Sequence, residues 1–209
     1  MISSLPQGLP ASRKLTITIA LSLFALILAL LFPTTDRVIC LAAMLLSSVG
    51  DIILMNFRKI GEKMPIPYFY AGAVFFMFSH ILYTYAFLTM ILKNGYNYLN
   101  IGFWMAIVII VITAVAISIL VFKNGKINRQ MYLLCFAYVM LIGANCATIF
   151  SWSFSMGGTR WLAAAGALSF FISDMIIGID KLLGITSDRL KKAIWVFYPI
   201  GQFFILWRG

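Results

Sequence analysis

Apolar residues fill seven stretches of this chain, 15–32, 37–57, 68–92, 99–122, 131–150, 161–179 and 193–207. Polar and turn-forming residues are confined to the short gaps between them: Pro33 to Asp36, Gly61 to Pro67, Lys93-Asn94-Gly95, Lys123 to Lys126, Gly157-Gly158 and Gly184 to Lys192. Runs of about 17–25 apolar residues are what a helix needs to cross a hydrocarbon layer about 30 Å thick. The runs are continuously apolar rather than alternating, which excludes a transmembrane barrel and leaves helices as the way to satisfy the backbone in lipid. The gaps leave no room for a soluble domain. The pattern therefore predicts an all-α, polytopic helical bundle of seven transmembrane helices forming a single domain over 1–209.

Composition agrees. The chain is 63% hydrophobic and 11% charged, with a mean hydropathy of +1.00, whereas soluble domains run at about 45–50% apolar and about 25% charged. The net charge of +10 would point to nucleic acid in a soluble protein. Here the basic residues sit between apolar runs, so topology and lipid headgroups account for them and no nucleic-acid partner is expected. With seven spans, one face of the membrane receives Arg13, Lys14, Arg58, Lys59, Lys63, Lys123, Lys126, Arg129, Lys181, Arg189, Lys191 and Lys192, and the other only Arg37, Lys93, Arg160 and Arg208. The positive-inside rule then puts the N-terminus in the cytoplasm and the C-terminus outside, most simply in the plasma membrane. Arg13-Lys14 followed by Leu15 to Phe32 resembles a signal peptide, but the run ends in Leu31-Phe32-Pro33 rather than at small residues and reads as a retained span.

Cys40, Cys135 and Cys146 lie inside apolar runs with no metal-ligand spacing, and His80 is the single histidine. This excludes a disulfide framework and argues against a zinc site built from several His or Cys ligands, so no metal or cofactor is expected.

Two carboxylates interrupt the apolar pattern. Asp51 stands in Ser47-Ser48-Val49-Gly50-Asp51-Ile52-Ile53-Leu54 and Asp174 in Phe170-Phe171-Ile172-Ser173-Asp174-Met175-Ile176-Ile177. An acid in the membrane costs about 2.5–3.5 kcal/mol on insertion scales and marks a functional site by default. Both lie about 14 residues into spans that run the same way, roughly 8–10 Å from the cytoplasmic ends at 1.5 Å per residue, so a shared polar pocket is expected. His80, Tyr83, Tyr138, Asn145, Tyr198 and Gln202 sit on spans three, five and seven where they can face it. Asp36, Glu62, Asp180 and Asp188 fall at membrane edges and read as solvated. There is also a hint of duplication: Arg58 and Lys181 each follow their aspartate by seven residues, and Gly61 and Gly184 by ten. Two units of three helices joined by a fourth would place spans two and six in equivalent positions, as in transporters built from parallel repeats.

Two acids in one low-dielectric pocket favour one protonated and one ionised carboxyl, the requirement for paired general acid and base, and a histidine can relay protons between them. The alternative is structural, with the acids bonded to serines and tyrosines as links between helices. Arg58 and Lys181, about 10 Å along the same helices from their acids, are placed to hold a lipid phosphate, although positive-inside flanking charge also explains them.

Taken together, Leu46 to Leu54, Phe75 to Tyr83 and Gly166 to Asp174, with Tyr198 and Gln202 near the end, resemble the YhhN-like family of membrane lysoplasmalogenases. The resemblance runs from about Arg13 to the C-terminus. Family members usually have eight spans, so the opening helix here corresponds to their second, with Lys14 where a Lys-Pro pair often begins that helix. The resemblance implies hydrolysis of the vinyl ether of a lysoplasmalogen, with a lysophospholipid substrate drawn from the membrane lipid, and needs no metal or nucleophilic serine. It casts Asp51 and Asp174 as the acid–base pair and His80, Tyr83, Tyr138, Asn145, Tyr198 and Gln202 as positioning or relay groups. A small-molecule or proton-coupled transporter is the competing reading, since a three-plus-one-plus-three repeat with buried acids fits it too. A retinal-type photoreceptor is poorly supported, because span seven has no lysine for a Schiff base.

Overall fold

The structure is a computed structural model that describes residues 9–55, 63, 66–124, 129–184 and 187–208. Seven helices follow one another: α1 (Ala11–Leu31), α2 (Thr35–Leu54), α3 (Tyr68–Lys93), α4 (Ile101–Asn124), α5 (Arg129–Met156), α6 (Trp161–Leu183) and α7 (Asp188–Trp207), with one 3-10 turn (Gly158–Arg160) before α6. No strand occurs among the described residues. Five of the described helices, α1, α2, α3, α5 and α6 with its leading turn, are long and apolar enough to cross a membrane. The apolar part of α4 with described side chains is shorter, Ile101–Ala116, and α7 carries Asp188, Arg189, Lys191 and Lys192 in its first turns. The expected seven spans thus correspond to seven helices, of which five meet the criterion for crossing.

The helices pack as a ring. The most extensive contacts are α2 with α3 and α6 with α7; α1 lies against α2 and α7, and α5 against α3 and α6. The fourth helix stands outside the ring, against α5 and α6. This is the contact pattern of two three-helix units, α1–α2–α3 and α5–α6–α7, joined by α4. In each unit the second and third helices make the tightest pair, and each unit's third helix meets the other unit's first. The duplication hinted at by the two aspartate segments is therefore also a regularity of the packing.

Lipid-facing helices gain nothing by hiding apolar side chains from one another, so close backbone approach at small residues drives their association. Both tight pairs use it. A Cβ on Gly166 would fall 2.7 Å from Phe204 Cβ and 2.9 Å from the Gly201 carbonyl oxygen; a Cβ on Gly201 would fall 2.8 Å from the Phe170 amide nitrogen. On the other side of the ring, a Cβ on Gly50 would meet the Phe76 ring at 2.8 Å, and one on Gly72 the Leu54 side chain at 2.5 Å.

At the end of the bundle where α2 starts and α7 stops, charge closes the ring. Arg37 donates to the Leu206 carbonyl and, at 3.3 Å, to that of Trp207. Arg208, 3% exposed, pairs with Asp36 at 2.7 Å and lies over the Phe87 ring. Asp36, expected to be solvated, is instead a structural partner: the residue that caps α7 turns back into the bundle and needs a counter-charge.

Because the obstacles at Gly201 are backbone atoms, which cannot move aside, Gly201→Leu is expected to destabilise the protein by about 1–3 kcal/mol. Thermal unfolding in detergent would show this as a lowered midpoint; an unchanged midpoint would mean that α6 and α7 do not meet at these glycines.

Candidate functional site

A buried carboxylate needs hydrogen-bond donors, and in this bundle they come from neighbouring helices. Asp51 and Asp174 are each 6% exposed. The Oδ2 of Asp51 accepts from Thr18 of α1 at 2.9 Å and from the Tyr198 hydroxyl of α7 at 2.7 Å. The Oδ2 of Asp174 accepts from the Tyr138 hydroxyl of α5 at 2.6 Å and lies 3.5 Å from His80 Nε2 of α3. The two arrangements correspond. Each acid sits on the middle helix of its unit and is held by the unit's first helix and by the last helix of the other unit.

His80 is fully buried halfway along α3. Its Nε2 is 3.3 Å from the Tyr138 oxygen, and the amide of Asn145 stands 3.2 Å from its Nδ1. With that amide donating, Nδ1 is the bare nitrogen, so the proton sits on Nε2 and points at the Asp174–Tyr138 pair. Asn145 Oδ1 is buried and has no partner among the described residues.

Tyr83 and Gln202 do not reach either acid through the hydrogen bonds they make. Tyr83 donates to Gln202 Oε1 at 2.8 Å, Gln202 donates to Ser47 at 3.2 Å, and Ser47 bonds Ser79 at 2.7 Å. These four side chains clamp α2, α3 and α7 together. The polar interior is thus divided rather than one pocket: the clamp adjoins Tyr198 beside Asp51 through Gln202, and aromatic rings stand between the surroundings of the two acids. Phe170 packs on His80 at 4.8 Å and on Tyr198 at 5.4 Å, and Phe76 touches Phe170 and Tyr198. The two carboxyls remain within electrostatic reach of each other.

Among the described residues, Asp174 opens onto a cavity. A cavity of about 850 Å³, counting its open mouth, lies between α3, α4, α5 and α6, with Asp174 and Tyr138 in its wall and Asp51 outside it. The rest of the lining is nearly all apolar, including Phe69, Ala73, Phe76, Ala114, Val139, Met175 and Gly178. Outside the lining, Lys181 lies over the ring of the lining residue Phe69, 5.7 Å from its centroid, and is paired with Asp180 at 3.8 Å. Arg58, the other expected phosphate contact, is outside the described residues. No group of three or more His, Cys, Asp or Glu side chains is arranged to hold a metal ion among the described residues.

Thr18 escaped notice in the sequence because a threonine in an apolar run can satisfy itself on its own helix, as Thr16 does on the Ser12 carbonyl. Its relation to Ser22 one turn on is the available sign, since both face α2: Ser22 bonds Ser48 at 2.7 Å while Thr18 takes Asp51. Ser79 was hidden in the same way.

If the acids belong to separate clusters, double-mutant cycles will show it. Tyr138→Phe and Asp174→Asn are expected to be coupled by about 1 kcal/mol in thermal stability, whereas Tyr198→Phe and Asp174→Asn are expected to add. Equal coupling in both pairs would mean a single network.

Neither the comparison with curated proteins nor that with solved structures gives a match. A family model, that of the YhhN family, matches residues 12–208, which takes in all seven helices and every site residue above. With nearly the whole of this helical membrane bundle covered, the chain belongs to the YhhN family, the family that includes lysoplasmalogenases.

Proposed function

We propose that the protein hydrolyses the vinyl ether bond of a lysoplasmalogen, releasing a fatty aldehyde and a glycerophospho-base. The observation that carries this reading is a single buried carboxyl, Asp174, opening with its phenol partner onto an otherwise apolar cavity in a member of this family. A vinyl ether is cleaved by acid. A proton goes to the β-carbon, the α-carbon becomes an oxocarbenium centre, water adds there, and the resulting hemiacetal collapses to aldehyde and alcohol. The water supplies the hydroxyl at the α-carbon, its released proton restores the acid, and the hemiacetal hydroxyl proton ends on the departing glycerol oxygen.

The site provides what these steps require. Asp174 is the group that meets the substrate: Tyr138 and His80 both address its Oδ2, so none of these bonds occupies Oδ1. After proton transfer the carboxylate faces the positive carbon, as in glycoside hydrolysis, which shares the oxocarbenium character. His80, hydrogen-bonded by Asn145, lies beside Asp174 Oδ2 and positions that carboxyl, and the water's proton returns to Asp174 itself. Asp51 stands behind the Phe76–Phe170 wall, within electrostatic reach of Asp174. In this reading the N-terminus is cytoplasmic, and Lys181, with Arg58, receives the phosphate of a lysophospholipid at the cytoplasmic face of a cell membrane.

The repeat in helix packing is the one observation favouring a transporter, because parallel repeats with buried acids at their interface suit alternating access. Uptake into liposomes without any aldehyde release would support that reading.

Purified protein given a lysoplasmalogen in detergent is expected to release aldehyde, and Asp174→Asn to reduce the rate by roughly a hundredfold or more. Asp51→Asn is expected to slow it too, with most of its effect in kcat rather than in substrate affinity, since Asp51 lies outside the cavity wall. Full activity of Asp174→Asn would remove the residue from the mechanism.

A further inference from the structure

A lysine at the edge of a membrane ordinarily stretches its ammonium into water, away from other positive charge. Lys14 and Lys191 do the opposite. Lys14 stands one turn before Thr18 on α1, and Lys191 one turn before Trp195 on α7, at the end of the bundle where both helices start. The Lys14 ammonium lies over the Trp195 ring, 5.3 Å from its centroid, so it reaches from α1 across to α7. Both lysines are partly buried and within electrostatic reach of each other. Their neighbours in the sequence, Arg13, Arg189 and Lys192, are exposed.

Like charges brought together on partly buried ground repel, and no acid pairs with either of them among the described residues. The ion pairs there are Lys181 with Asp180, Arg208 with Asp36 and His80 with Asp174. Asp188, three residues before Lys191 on α7, belongs to none of these, and its Oδ1 is buried without a partner. The carboxylate whose field reaches Lys14 is that of Asp51, which Thr18 and Tyr198 already hold. An anion with oxygen acceptors, set between the two ammonium groups, answers both charges at once. Its source follows from where the lysines sit. The α1–α7 join is the slackest between neighbouring helices of the ring. Beyond the lysines this seam faces lipid: Val196, Ile200 and Phe203 are exposed, and Phe203 stacks on Phe24 across it at 5.0 Å. Basic pockets between membrane helices hold anionic head groups, and tryptophan favours the headgroup level. A soluble anion would use the lysines and leave the apolar seam unused.

We infer that the α1–α7 seam binds an anionic glycerophospholipid of the surrounding bilayer, with its phosphate between Lys14 and Lys191, its glycerol against Trp195 and its chains along the exposed seam. Bound in this way, the lipid ties together the slackest join of the ring. The site shares no residue with the cavity at Asp174, and it stands whether the protein is a hydrolase or a transporter.

The experiment titrates the full chain in detergent with dioleoyl phosphatidylglycerol, dioleoyl phosphatidylcholine or inorganic phosphate. Native mass spectrometry counts the bound lipid, and thermal unfolding gives the melting midpoint. Phosphatidylglycerol is expected to stay bound and to raise the midpoint more than phosphatidylcholine does, and inorganic phosphate to do neither. Lys14→Gln combined with Lys191→Gln is expected to weaken phosphatidylglycerol binding roughly thirtyfold, without lowering the midpoint measured in the absence of anionic lipid. Lys191→Gln alone, expected to cost roughly fivefold, is the second variant should the pair fail to fold. Arg189→Gln combined with Lys192→Gln removes the same charge from exposed positions of the same helix, and is expected to change binding by no more than about twofold. Equal losses in the two double variants would mean a diffuse positive surface. Equal binding of phosphatidylcholine would mean ordinary solvation by lipid, and an equal rise in midpoint with inorganic phosphate would mean a soluble anion. Each of these three results overturns the proposal.

Discussion

Placing two carboxyl groups inside an apolar bundle is the constraint on which the rest of this architecture depends. Neither can stay buried without donors, and a helix cannot satisfy its own aspartate from its backbone, whose amides are already committed. The donors come from other helices: Thr18 and Tyr198 for Asp51, Tyr138 and His80 for Asp174. Each acid thereby joins the first helix of its own unit to the last helix of the other. These are the contacts that close the ring. The glycine pairs bring α2 to α3 and α6 to α7, but the acids bind one unit to its counterpart.

The resulting symmetry is broken at the partners of the two acids. The α7 partner of Asp51 is Tyr198, whereas the α3 partner of Asp174 is a histidine, whose orientation Asn145 controls. The fourth helix packs mainly against α5, and also α6, so the second unit acquires a cavity wall from it. The two acids thus have corresponding positions and different surroundings, one of them in the wall of the cavity. The aromatic wall of Phe76 and Phe170 keeps them apart while leaving their fields in contact.

Much of this was legible in the residues. Long apolar runs between short polar gaps require helices, because in lipid a backbone has few other ways to satisfy itself. Charged residues within those runs identified Asp51 and Asp174, because nothing else in the pattern was costly enough to need explaining. The matched spacing of Arg58 and Lys181 foreshadowed the repeat. Less legible were the residues whose polarity a helix can absorb alone. Thr18, Ser47 and Ser79 each have the option of bonding to a carbonyl one turn back, so nothing in the sequence separates those that do from those that reach across to another helix. Asp36 misled for a related reason: its position at a helix start suits a solvated residue, and only the fold brings Arg208 to it.

What the sequence by itself determined was the material of the protein: a helical membrane bundle, two intramembrane acids, a short roster of polar side chains and the family they resemble. Tertiary structure alone decided how that roster divides. It gave Tyr138, His80 and Asn145 to Asp174, gave Tyr198 and Thr18 to Asp51, and withdrew Tyr83 and Gln202 into a clamp between helices. It also decided that Asp174 and not Asp51 opens onto the cavity. The physical reason is that helical periodicity says which residues share a face, while rotation and closeness of approach are set by side chains far apart in the chain, here by glycines and aromatic rings whose complementarity appears only once the helices are in contact.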